Sequence, residues 1–104
     1  MINGVKVITL CGSTKFKDDF IRIAEELTLA GNIVISLGLF GHADHKYDTV
    51  ITNDVKEMLD RNHKNKILLS DAIYVINKNG YIGNSTKNEI KFAKQHGKEI
   101  LYME

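Results

Sequence analysis

Four short apolar runs alternate along this chain with stretches whose apolar residues recur every three or four positions, and that alternation leaves few folds open. The runs are residues 5–11, 33–37, 72–76 and 99–103. The first three are rich in Val and Ile and largely lack polar alternation, which suits strands buried on both faces of a parallel sheet. Between the first two, Phe16, Phe20, Ile23, Ala24 and Leu27 fall on one helical face, and Gly31-Asn32 closes the helix. A second helical pattern carries Ile51, Val55, Met58 or Leu59, and Ile67, with room for a break near Arg61. A third spans about residues 85–96 and stops at Gly97. Right-handed crossovers between such strands predict one parallel sheet covered on both faces, in the spatial order 2-1-3-4.

With 104 residues there is room for a single domain around one modest core. A formal net charge of +1 gives no bias toward nucleic acid polymers or anionic membranes. No apolar run approaches the ~20 residues that span a bilayer, and the first residues lack the apolar segment of a signal peptide. These traits predict a cytoplasmic protein with neither a membrane nor a nucleic-acid partner. One cysteine, Cys11, allows no internal disulfide and cannot build a zinc site alone. Proline is absent, so turns must be made by Gly, Asn, Asp and Ser.

In the order 2-1-3-4 the crossover direction reverses between the first and third strands, and ligands of open α/β sheets bind beyond the carboxyl ends at that reversal. Two segments converge there. One is Gly12-Ser13-Thr14, a tight turn with two hydroxyls at a helix start, suited to a phosphate, a sugar hydroxyl, or simply a helix cap. The other runs from Gly80 through Tyr81, Gly83 and Ser85 to Glu89, following the turn residues Asn77-Lys78-Asn79. Thr86-Lys87-Asn88-Glu89 matches a capping box, in which the glutamate reaches back to the Thr86 N–H. The same carboxylate sits at the mouth of the reversal, where a helix amino terminus keeps it ionised, as a nucleophile toward a sugar carbon requires. Both readings of Glu89 stand.

His63 shares an inward stripe with Leu59 and Ile67, so it is either a hydrogen-bonded core histidine or a catalyst. Lys66, three residues on, could reach the same anion. Asp71, just before a buried strand, reads as a turn or cap. His42, Asp44 and His45 raise a metal, but their spacing fits no standard zinc pattern, and no metal site is predicted. Cys11 ends a buried strand and reads as a small core residue, since no adjacent base can be named.

Gly12-Ser13-Thr14, Ser70-Asp71-Ala72-Ile73-Tyr74-Val75, and Gly83 through Glu89-Ile90 with Ala93 resemble the nucleoside 2-deoxyribosyltransferase-like superfamily. That group includes 2′-deoxynucleoside 5′-phosphate N-hydrolases. His63-Lys64-Asn65-Lys66-Ile67 and Gly80-Tyr81-Ile82-Gly83-Asn84-Ser85-Thr86 look most similar to its small bacterial and phage branch. The resemblance covers nearly the whole chain. It implies a flavodoxin-like or Rossmann-like three-layer α/β/α fold of four to five strands, and cleavage of an N-glycosidic bond. Glu89 matches the family's catalytic glutamate, which attacks the anomeric carbon to give a covalent sugar–enzyme intermediate that water or a base resolves with retention. Gly12, Ser13 and Ser85 would hold the sugar or 5′-phosphate, with Tyr81 lining the pocket; Thr14, Lys66, Asn77 and Gly83 complete the candidate substrate-binding set. His63 stands where the active enzymes carry an aspartate, and could protonate the leaving base. Ser85 replaces a glycine. Homodimers or larger homo-oligomers are implied.

The expected ligand is thus a nucleoside or nucleoside 5′-monophosphate, cleaved or merely bound by a sensing or sequestering module. No cofactor is expected, because the loops lack the hydroxyl-rich turn and aromatic clamps of a flavin site.

Overall fold

The computed structural model describes residues 1–40 and 52–104, and within them the alternating pattern becomes four strands and three helices. Strand β1 (Val7–Gly12) leads through a 3-10 turn (Thr14–Phe16) into α1 (Lys17–Leu29), then β2 (Ile33–Ile35). Helix α2 (Asn53–Leu68) precedes β3 (Ala72–Ile76), and a second 3-10 turn (Lys78–Gly80) leads to α3 (Asn84–Gln95) and β4 (Glu99–Tyr102). All three strand pairings are parallel and the order is β2-β1-β3-β4. This is the expected α/β architecture, a flavodoxin-like three-layer arrangement.

Strand parity divides the core. Successive residues point to opposite faces, so Leu10 and Ile76 meet Phe20 and Ile23 of α1, while Cys11, Ile73 and Val75 meet Ile67 of α2 and Ile90 and Ala93 of α3. Phe20, Leu10 and Ile67 are completely buried, each contributing about 1.5–3 kcal/mol of hydrophobic stabilisation. Helix α2 runs unbroken through Arg61. Its last turn is fastened to β1, because the Thr9 and Ser70 hydroxyls both reach the Lys66 carbonyl, at 3.0 and 2.7 Å. That satisfies a carbonyl which the helix end leaves open. Asp71 has the structural role read from the sequence: its carboxylate accepts the Val7 N–H at 2.8 Å.

Gly12 is demanded by the sheet itself. It pairs with Ile76 at φ +153°, and a Cβ there would lie 2.9 Å from the Ile76 carbonyl oxygen. No helix among the described residues is long and apolar enough to cross a membrane. Ile51, His42, Asp44 and His45 lie outside the described residues.

Candidate active site

The carboxyl ends of β1 and β3 open into a cleft of about 600 Å³, well within the range of small-molecule sites. Its walls come from the turn after β1, the segment after β2, the inner face of α2 and the first two turns of α3. The crossover reversal therefore sits where the strand order puts it.

Glu89 is not a cap. Helix α3 is capped three residues earlier than the capping box requires, with Gly83 rather than Thr86 as its N-cap and no side-chain cap bond. Thr86 is consequently the third helical residue, buried at 4% exposure, and Glu89 is the sixth. At that depth its side chain has left the helix start behind, and its carboxyl lines the cleft with 17% of its surface exposed.

Three elements aim at one point beside it. His63, from α2, places Nε2 3.5 Å from Glu89 Oε1, and Cys11, from β1, places Sγ 3.3 Å from the same nitrogen. Burial dominates the electrostatics. It pushes the Glu89 carboxyl from an ordinary 4.5 up to about 7, against the opposing pull of its hydrogen-bond partner, the Cys11 thiol. It pulls His63 from 6.5 down to about 4, assisted by the positive charge of Lys66. The Cys11 thiol is held well above its ordinary value by the same burial and by Glu89. Two expectations change accordingly. Glu89 is not held ionised by the helix terminus, because desolvation outweighs the dipole at its depth. His63 is a neutral imidazole at neutral pH, so it has no cationic proton to give a leaving base.

The donor atoms of Cys11, His63 and Glu89 all lie within 4.8 Å of one another, compact enough to surround a metal ion. A metal-bound imidazole, however, needs an acceptor for its other N–H. His63 Nδ1 is buried with no hydrogen-bond partner among the described residues. The trio fits a proton-sharing cluster better than a metal centre.

Gly12, Ser13, Thr14, Lys66, Tyr81, Gly83 and Ser85 all line the cleft together with His63 and Glu89. Ser13 also caps the 3-10 turn, accepting the Lys15 N–H at 3.3 Å, so its two roles coexist. Tyr81 stands at the rim, its ring edge-on to Phe16 at 5.9 Å and covered by Lys15 Nζ at 3.5 Å. Asn77 is elsewhere. Its amide is closed by the Glu104 backbone, donating to the carbonyl at 3.2 Å and accepting the N–H at 2.9 Å, and it does not line the cleft.

Sequence reasoning missed Cys11, Gly38 and Asp60 as parts of this region. A signal existed for Cys11. It shares strand parity with Thr9, and both must face the layer that carries the inward stripe of α2. Comparison with protein-family models and with curated proteins gives no match.

Proposed function

We propose that this protein cleaves or transfers the N-glycosidic bond of a nucleoside or nucleoside 5′-monophosphate through a covalent sugar–Glu89 intermediate. The observation that carries the reading is that the Glu89 carboxyl has no capping duty and opens into a cleft at the crossover reversal. In its ionised form Glu89 attacks the anomeric carbon. The carbon–nitrogen electron pair leaves with the base, which takes a proton from water. Water or a second base then attacks the same carbon and releases Glu89, so two inversions preserve configuration. Neutral His63, with Nε2 facing Glu89, can steady the carboxylate by a single hydrogen bond without adding charge. Tyr81, at the rim of the cleft, offers a ring edge against which a base can rest.

Incubation with a panel of nucleosides and their 5′-monophosphates tests the proposal. Base release by the native protein and its loss in Glu89→Gln are the expected results. No release from any substrate, or equal release by the variant, overturns it.

A second reading draws on the neutral His63 and the half-protonated Glu89. Together they present hydrogen-bond donors suited to holding a nucleotide without turnover. Recovery of the bound ligand intact would favour this binding module.

A further inference from the structure

The two outer strands of the sheet differ in how they manage their free edges. β2, at one end of the order, is three residues long and offers little to pair with. β4, at the other end, is longer, and its ladder continues past Tyr102, because the Met103 N–H reaches the Val75 carbonyl at 2.9 Å. Among the described residues no strand lies on its far side. The middle of this edge, Ile100-Leu101-Tyr102, carries no charge, and the chain has no proline to block it. An edge without these defences is a template for another strand.

The ladder fixes which groups the edge presents. The Glu99 N–H donates to the Asp71 carbonyl at 3.2 Å, as the Met103 N–H does to Val75. Backbone groups alternate sides along a strand, so Glu99, Leu101 and Met103 address β3, while Ile100 and Tyr102 turn both N–H and C=O outward. The flanking residues are already engaged. The Lys98 N–H is taken by the Ala93 carbonyl at 2.9 Å, and the Glu104 N–H and C=O by the Asn77 amide at 2.9 and 3.2 Å. Each chain therefore presents two donors and two acceptors, placed symmetrically about Leu101.

That set is its own complement. With a second copy antiparallel and the two-fold axis at Leu101, Ile100 of each copy faces Tyr102 of the other. The two donors of each chain then meet the two acceptors of the other, giving four hydrogen bonds. Sliding one strand by two residues either way leaves some of these groups facing the engaged ones of Lys98 or Glu104. The side chains agree with this register. Ile100 packs on the core beneath α2 and α3, and strand parity puts Tyr102, 44% exposed, on the same face. Each tyrosine ring then lies against the other copy's Ile100, a favourable aromatic–β-branched pair. Leu101 meets Leu101 on the opposite face. Lys98 falls opposite Glu104, and Glu99 opposite Met103, so no like charges face each other.

We propose that β4 is a self-pairing edge, through which two copies of this chain join antiparallel about Leu101 into one continuous sheet. The two-fold axis is perpendicular to the sheet, so the two clefts open at opposite ends and neither takes a residue from the other copy. The proposal is thus independent of the chemistry assigned to the cleft. One strand edge buries less than a standard interface of about 1,600 Å², so the dimer is reversible and concentration-dependent.

Sedimentation velocity on the full chain, from about 1 μM to about 1 mM, should show a monomer–dimer equilibrium. Tyr102→Pro removes an outward N–H and none that β3 uses, a position where an edge strand accepts proline. It deletes two of the four hydrogen bonds and should weaken the dimer by roughly tenfold or more. Cross-linking reads the register. Leu101→Cys places two thiols in a non-hydrogen-bonded pair, about 4.5 Å apart at Cα and within disulfide reach, and should give a covalent dimer on oxidation with diamide. Glu99→Cys and Met103→Cys should cross-link only when mixed. The native protein, whose Cys11 is buried, is the control and should not cross-link. A monomer at every concentration overturns the proposal. So does a dimer that folded Tyr102→Pro leaves intact, or one that Glu99→Cys alone links as readily as Leu101→Cys. If Tyr102→Pro does not fold, the cross-linking pattern decides by itself.

Discussion

Replacing Glu89 by Gln should change the pH dependence of stability in a direction opposite to replacing His63 by Gln. Glu89 has a folded-state pKa raised from 4.5 to about 7. Between those values the unfolded chain loses its proton while the folded one keeps it. Glu89 therefore favours the fold below pH 4.5, and that contribution is lost as pH rises to 7. The span is worth about 3 kcal/mol. His63 has its pKa lowered from 6.5 to about 4. In that window the unfolded chain binds the extra proton, so His63 adds stability as pH rises, again by about 3 kcal/mol. Neither group appears among the causes of the other's displacement, so the two slopes nearly cancel in the native protein. Urea denaturation from pH 4 to 7.5 measures both. The stability of Glu89→Gln relative to native should climb by about 3 kcal/mol from pH 4.5 to 7. That of His63→Gln should fall by a similar amount from pH 4 to 6.5. Referring each variant to the native protein removes the other titrating groups, Asp71 included. A Glu89→Gln profile parallel to the native one would refute the claim that burial holds this carboxyl partly protonated.

The same displaced carboxyl predicts that kcat/KM for base release rises from acid to a plateau through about pH 7, because the attacking form is ionised. Cys11→Ala removes the thiol that opposes the upward shift of Glu89, and should move that limb to higher pH in the same assay. Gly12→Ala places a methyl 2.9 Å from the Ile76 carbonyl oxygen, and should cost about 2 kcal/mol or more in urea denaturation. Asn77→Ala breaks both bonds to Glu104, and should lower stability by about 1–3 kcal/mol in the same measurement.

Periodicity carried the architecture. Strand positions, helix faces and the Gly31 and Gly97 stops were legible because each depends on neighbours a few residues away, although β2 stops at Ile35, two residues short of its apolar run. The start of α3 was legible to within a residue, but its cap was not. Asn84, Ser85 and Thr86 are all polar residues acceptable at a helix start, and the capping pattern chose Thr86. The packing chose otherwise, because Thr86 is buried and the chain must already be helical there. That three-residue difference in the cap moves Glu89 from a cap to a cleft wall. The protonation states were equally hidden, since they depend on desolvation at a point where β1, α2 and α3 meet. Asn77 misled for a related reason. It stands at the carboxyl end of a strand, as a ligand-binding residue should, but its partner is the chain just past β4.

The central claim is that Glu89 bonds to the sugar. Peptide mass mapping of protein quenched during turnover tests it most directly, using the substrate that base release identifies. A deoxyribosyl or ribosyl mass, with phosphate if the substrate carries it, should appear on the peptide containing Glu89, and none in Glu89→Gln. Undiminished turnover by that variant, with no added mass on the native peptide, would contradict it.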